Sequence, residues 1–408
     1  MRSIETALLS AALAVAAFAA PSAARAGALF ENCRTNDQPA ATLLFPYFRV
    51  DLGNPAGATT ILSVGNAFSS STQARVVLWT SWGVPTLAFD LYLTGYDLQT
   101  INLRDLFRGQ LPRTGADVSP VGPFSLPKPT PPGCGDPAPQ GLGPLETETL
   151  RAAHSGRPIP LTDPPACASS PSDRADVAVG YVTVDAVNRC TPPALATPRN
   201  TPADPLYFSA GGRGLASDAN VLWGDSIEVD PDRGFAASDT AVHVVADASF
   251  FAPGDYTFYG RFVGFDARDD RAPLSSLYQA RLVSGGGFGG NSELVVWRDT
   301  REPEPTVHPC GEEPRWAPLG EAQIAFFDEQ ENPTSIGTAN AFPFAVQRVP
   351  VGGGALPMAT PFGWTLLDLW HDSLTHAQAW VVVRSNAGGR NWVSRRAVRA
   401  DDLCTFGP

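Results

Sequence analysis

Short runs of β-branched and aromatic residues, broken about every ten positions by Gly, Pro, Asn or Asp, constrain the fold of this chain more than any other feature. With 39 prolines and 38 glycines among 408 residues, little room is left for long helices. The early runs fall at residues 59–64, 74–82, 89–93 and 98–103. The middle carries runs at 177–184, 221–229, 241–246, 256–265, 278–283 and 294–297. Late runs occupy 322–327, 364–369, 379–383 and 392–394. Many short strands with turn signals and almost no helical period predict an all-β fold of Ig-like or jelly-roll-type β-sandwich modules. Val76-Val77-Leu78-Trp79 and Trp380-Val381-Val382-Val383 are apolar at both parities, so these strands are expected to be covered on both faces.

Residues 111–175 break the pattern as a long Pro/Gly-rich insertion, with Pro127, Pro129, Pro131 and Pro132 crowded together. Proline cannot donate to a strand ladder, so this stretch is no sheet interior. Within it, residues 145–154 predict a short helix, with Pro144 at its start, Glu146 and Glu148 in the first turns and Gly156 after its end. The patterning divides the chain into a signal segment at 1–26, an N-terminal sandwich region at 27–110 and the insertion at 111–175. A middle β region at 176–315 and a C-terminal sandwich region at 316–408 follow. A faint repeat aligns Ala74, Val76, Leu78, Trp79, Pro85 and Thr86 with Ala322, Ile324, Phe326, Phe327, Pro333 and Thr334.

Arg2, the apolar run at 7–20, Pro21 and Ala24-Arg25-Ala26 before Gly27 have the layout of a cleavable signal peptide. The run is about 14 residues, short of the ~20 that span a bilayer, and no other stretch is a transmembrane candidate. The expected location is therefore secreted, periplasmic or at the cell surface. Six cysteines, Cys33, Cys134, Cys167, Cys190, Cys310 and Cys404, all follow the leader with wide spacing and no Cys-x-x-Cys pair. An even count in an exported chain predicts three disulfides rather than metal ligands. The expected pairs are Cys33–Cys404, Cys134–Cys167 and Cys190–Cys310. The formal charge of −12 disfavours nucleic acid and anionic lipid surfaces as partners.

Several constellations could carry chemistry. Asp230 and Asp232 in one turn, and Asp266, Asp269 and Asp270 in another, are candidate calcium ligands, with solvated loop carboxylates as the plainer alternative. Apart from calcium, no cofactor is expected. His371, Asp372 and His376 match no standard metal spacing and read as a polar hairpin tip between the strands of Trp364 and Trp380. Nine tryptophans invite a polysaccharide-binding reading, and the opposite parity of Trp79 and Trp82 would leave one of them exposed.

Gly224-Asp225-Ser226 with Asp368-Leu369-Trp370-His371 resembles the blocks of the GDSL or SGNH serine esterases. That resemblance implies Ser226 as nucleophile, His371 as base and Asp368 as its orienter. The family sets its serine between a strand and a helix, whereas residues 227–231 here alternate like a strand and meet a proline. A second resemblance rests on Phe258-Tyr259-Gly260-Arg261 with Leu294-Val295-Val296-Trp297-Arg298-Asp299. It also rests on residues 43–48 and on Tyr92-Leu93-Thr94-Gly95-Tyr96-Asp97. These stretches resemble uncharacterised secreted β-rich proteins of many bacterial genomes, which implies export and a β fold but no activity. The expected role is binding, adhesive or envelope-structural, with a surface protein or polysaccharide as partner. A secreted hydrolase, either the serine esterase or a carboxylate-pair glycosidase, is the alternative.

Overall fold

A computed structural model describes residues 38–112, 141–170, 176–191, 194–195, 201–208, 214–248, 256–263, 269–287, 289–300, 307–314, 323–335, 342–352, 356, 358, 360–369, 377–388 and 390–399. Residues 1–26, Cys33, Cys134 and Cys404 lie outside these residues.

The chain opens with β1 (Thr42–Asp51), β2 (Thr59–Asn66), β3 (Thr72–Thr80), β4 (Pro85–Leu93) and β5 (Leu98–Asn102). Two helices, α1 (Leu103–Leu106) and α2 (Pro144–Ser155), precede β6 (Ala166–Cys167), β7 (Val177–Val187) and β8 (Ala194–Leu195). Next come β9 (Leu222–Asp230), β10 (Phe235–Thr240), β11 (Val242–Val244) and a turn of helix, α3 (Gly260–Val263). The second half holds β12 (Leu277–Val283), β13 (Gly290–Thr300), β14 (His308–Pro309), β15 (Ile324–Phe327) and β16 (Pro333–Ser335). It ends with β17 (Val346–Val351), β18 (Phe362–Asp368), β19 (Ala377–Ala387), β20 (Arg390–Arg396) and β21 (Val398–Arg399).

Four antiparallel sheets carry most of these strands, and the three hydrophobic cores between them define a layered β-sandwich stack. The first layer has the order β10-β9-β2-β5 and the second β11-β1-β7-β3-β4-β8. The third is β17-β13-β19-β20 and the fourth β16-β15-β18-β12-β21. Leu62, Val64, Val76, Leu78 and Val182 fill the core between layers one and two. Val77, Trp79, Tyr181, Trp297 and Trp380 meet between layers two and three, joined by Tyr207, Phe258 and Tyr259 from loops. Leu282, Leu294, Phe326, Leu367 and Val381 form the third core. Alternate residues of β3 and β19 thus serve two different cores, which is why those strands are apolar at both parities. The inner strands are where the double-faced runs place them.

Local signals account for other elements. Helix α2 begins at Pro144, and Glu146 Oε2 accepts the Gly143 N–H at 2.8 Å. It stops at Gly156, whose φ of 71° closes the helix as only glycine does cheaply. Pro46 sits inside β1, and the pairing of β1 with β7 shifts register between Phe45 and Phe48, where the missing N–H would interrupt the ladder. The two arms of the sequence repeat are both hairpins in which Trp79–Pro85 and Phe327–Pro333 are cross-strand partners, but the first pair follows a register shift that the second lacks.

Several expectations are corrected. The run at 256–265 is not a strand in its described part: Tyr256, Phe258 and Tyr259 are buried anchors on a turn leading into α3. Gly260 makes that turn possible, because a Cβ there would meet the Tyr256 ring at 2.5 Å. The sandwich boundaries drawn at 27–110, 176–315 and 316–408 are crossed by every layer, with β7 between β1 and β3, β9 beside β2, and β12 beside β18. Strands β18 and β19 are in different sheets, so they do not pair with each other as a hairpin. Residues 370–376, with His371, Asp372 and His376, lie outside the described residues.

The disulfide pairing differs as well. Cys167 bonds Cys310, with β6 paired to β14 beside it, which rules out both Cys134–Cys167 and Cys190–Cys310. Cys190 is also disulfide-bonded, to a cysteine outside the described residues. The 143-residue separation of the observed pair is invisible to spacing arguments, because it follows from which loops the layers bring together.

Candidate functional site

Ser226 occupies the middle of β9, opposite Leu62 on one side and Asp239 on the other. It belongs to the first layer, whereas Asp368 ends β18 in the fourth. The two residues lie in opposite outer layers of the stack, and the structure does not bring them together. Gly224, the glycine of the esterase-like block, has a packing role instead. A Cβ there would meet Ser63 O at 2.7 Å and Leu43 Cδ1 at 2.8 Å.

The acidic clusters are occupied by arginine. Asp230 is buried and pairs with Arg49, while Asp232 is exposed in the following turn. Asp269 is buried, accepts from Thr257 Oγ1 at 2.9 Å and pairs with Arg271 Nη1 at 2.8 Å. Asp270 is half-buried beside it, and Asp266 lies outside the described residues. Among the described residues no three His, Cys, Asp or Glu side chains gather as a metal site. Arg271 also lies 3.6 Å from Asp185, which accepts from Tyr207 Oη at 2.9 Å and Tyr259 Oη at 3.0 Å. Burial pushes the Asp185 carboxyl up despite Arg271 and these donors. This is a polar network at the edge of the second core, with Asp185, Asp269 and Arg271 buried and the partly exposed Asp218 at its margin. Trp79 and Trp82 are both buried, with indole N–H groups donated to Thr183 and Ser170, so neither is a platform. The chain leaves the strand at Thr80, which frees Trp82 from strand parity.

Concavity and exposed polar groups coincide in the fourth layer. Two adjoining clefts, of about 600 and 680 Å³, share Arg281 and Trp364. Alternation on β18 sends Thr365 and Leu367 inward and leaves Phe362 and Trp364 on the outer face. On β12 the same alternation buries Tyr278, Ala280 and Leu282 and exposes Gln279 and Arg281. Phe327, Trp364 and Arg281 are directly opposed across β15, β18 and β12, forming one row. Phe327 stacks on Trp364 at 4.0 Å between ring centroids and 10° between planes. One indole face is therefore covered from the β15 side, and the other is turned toward β12 and the clefts.

The far walls come from the third layer, where Ser385 and Val393 contribute to the first cleft and Arg396 to the second. The chain changes layers between β20 and β21, and among the described residues β21 pairs with β12 at Tyr278 and Gln279. Glu329 reaches the first cleft from the β15–β16 turn. Asp328 fixes that turn by accepting from the Gln330 and Asn332 backbone at 2.8 and 2.9 Å and from Asn332 Nδ2 at 2.8 Å. The Asn332 amide and backbone N–H hold the Asp328 carboxyl below the usual carboxylate range. Arg396 is held by Asp239 at 3.1 Å. The site thus offers a rigid aromatic plane, a guanidinium donor and a carboxylate acceptor.

The opposite outer layer exposes a second apolar surface, made of Phe68, Tyr96, Leu98 and Trp223. Gly65 lies between Leu98 and Trp223 in the sheet, and Tyr96 N–H donates to Phe68 O at 2.9 Å. Asn66 ties the two loops together through Ser70 O and Thr94 O. Sequence reading singled out neither surface, although the period-two alternation at 362–368 contained the signal for Phe362 and Trp364. No protein-family model matches the chain, and no curated protein matches it significantly.

Proposed function

We propose that this is an exported binding protein of the bacterial envelope or cell exterior, not an enzyme, with its ligand site in the cleft at Trp364 and Arg281. The observation that carries this reading is the row Phe327–Trp364–Arg281, whose side chains rise from strands locked on their inner face by the third core. Rigid aromatic anchors beside a few directed polar groups are the usual chemistry of recognition. Export is supported by the leader-like residues 1–26 and by the Cys167–Cys310 bond, which persists in oxidising compartments. No described helix is long and apolar enough to cross a membrane.

The test is capture of isolated envelope material by immobilised mature protein, wild type against Trp364→Ala and Arg281→Ala. Both side chains face outward, so the variants are expected to keep the wild-type far-UV circular dichroism and thermal transition. Capture should fall at least tenfold in each. Undiminished capture by two folded variants would place the site elsewhere.

A further inference from the structure

We infer that the outer face of the first layer is a second binding surface, which takes an arginine side chain presented by an extended segment of a basic protein. This inference is independent of the cleft, and three observations on β9 and its neighbours carry it.

The first is an open face. Along β9, Leu222 turns into the first core, and the inward Glu228 and Asp230 pair with Arg384 and Arg49. Alternation sends Trp223, Asp225 and Ile227 to the other side. There Trp223 is 38% and Ile227 42% exposed, and Leu98, in the same row as Trp223 across Gly65, is 57% exposed. Large apolar side chains gathered on one exposed face mark an interaction surface.

The second is the charge at its centre. Asp225 lies between Trp223 and Ile227 on the same strand, roughly 7 Å from each along the chain. Ser63 and Thr240 are its direct neighbours on β2 and β10. Unlike Glu228 and Asp230, Asp225 makes no ion pair and its carboxylate accepts no hydrogen bond among the described residues. The carboxylates on the inner side of β9 are thus neutralised within the molecule, and the outer one is left for a cation from outside.

The third is the chemical match. A guanidinium is planar, carries five N–H donors, and lies on an indole face while forking onto a carboxylate. Its remaining donors suit hydroxyl oxygens such as those of Ser63 and Thr240. A lysine ammonium is a compact, strongly hydrated charge and gains less from the ring. An exposed ion pair alone holds little, so the indole and the packing of flanking apolar residues on Leu98 and Ile227 supply the rest. The anchors run from β5 across β2 to β9, about 10 Å, which an extended segment covers and a free amino acid does not. The formal charge of −12 steers a basic partner toward the surface.

The probe is fluorescein-labelled Thr-Val-Arg-Val-Thr amide, titrated with mature protein and read by fluorescence anisotropy, beside the same peptide carrying lysine or citrulline for arginine. The wild type should bind the arginine peptide at least fivefold tighter than the lysine peptide. It should bind it at least tenfold tighter than the citrulline peptide, which keeps the shape and loses the charge. Asp225→Asn, nearly isosteric, should weaken the arginine peptide at least tenfold with unchanged circular dichroism, and Trp223→Ala at least fivefold. Glu312→Gln, which removes one charge from the exposed turn after β14, should leave binding within twofold. Sodium chloride at about 0.5 M should weaken binding at least tenfold, and in that buffer capture of envelope material through the cleft is read without this face. No binding of the arginine peptide, or equal binding by the wild type and folded Asp225→Asn, would overturn the site. Equal binding of the arginine and citrulline peptides would overturn the cation.

Discussion

Asp299 shows what the layered interior does to a single carboxyl. It lies at the end of β13 with Arg261 Nε 3.0 Å from Oδ1, yet burial pushes it up to about 6 against the attraction of Arg261 and a hydrogen bond from Gln378. The folded state therefore holds this proton at pH values where the unfolded chain, near 3.9, has released it. Stability from this group is greatest below about pH 4, falls as pH rises through about 6, and is flat above, a total near 3 kcal/mol. Asp90 and Asp185 are shifted the same way by burial. Chemical denaturation of wild type and Asp299→Asn at pH 4.5 and 7 checks this. The wild type should lose stability relative to the variant across that interval, and parallel curves would contradict the assignment. His154 is shifted in the opposite direction, to about 4, because burial against Phe48 and Phe107 outweighs the opposing hydrogen bond with the Val179 carbonyl. It stays neutral over the physiological range and serves packing.

At the level of elements, the sequence pattern located most strands and the single longer helix, because period and capping are local properties. Strands β3 and β19 were visible from their double-faced runs, β7 and β13 from the runs at 177–184 and 294–297, and α2 from Pro144, Glu146 and Gly156. Strand β1 was hidden by Pro46, and the 256–265 run was misread because aromatic anchors on a turn have the composition of a strand. The cleft was partly legible: alternation gives the outward side of β18, but the opposition of Phe327, Trp364 and Arg281 depends on register between distant strands. The acidic turn at Asp269 offered a candidate ion site in the sequence, whereas in the fold Asp269 is paired with the buried Arg271. The Cys167–Cys310 bond belongs to this scale too, since it clips β6 to β14. Replacing both cysteines by alanine should cost about 2–5 kcal/mol, read from denaturant midpoints. A midpoint unchanged in the double variant would show that the β6–β14 pairing holds without the bond.

Across the whole molecule, the first layer also reaches the third directly through charges. Glu228 of β9 pairs with Arg384 of β19 and Arg233 with Glu293 at 3.1 Å, while Arg348 adds a contact to Glu293 at 3.5 Å within the third layer. Arg384 additionally lies over the rings of Tyr47 and Phe235. Glu228, Glu293 and Arg384 are all buried. Removing one member of such a group leaves its partner's charge stranded, so Arg384→Met should cost about 3–5 kcal/mol. The Arg384→Met/Glu228→Gln pair should recover much of that loss, because the uncompensated carboxylate is gone while Glu293 keeps Arg233 and Arg348. Additive losses in the double-mutant cycle would show that the pair is not coupled.

The location of the ligand site can be read without knowing the ligand. Hydroxyl-radical footprinting of the mature protein, with and without bound envelope material, reports side-chain protection residue by residue. Protection concentrated on Arg281, Phe362, Trp364, Val393 and Val398 is the expected result. Protection confined to Phe68, Tyr96, Leu98 and Trp223 on the opposite layer, with the cleft unchanged, would contradict it.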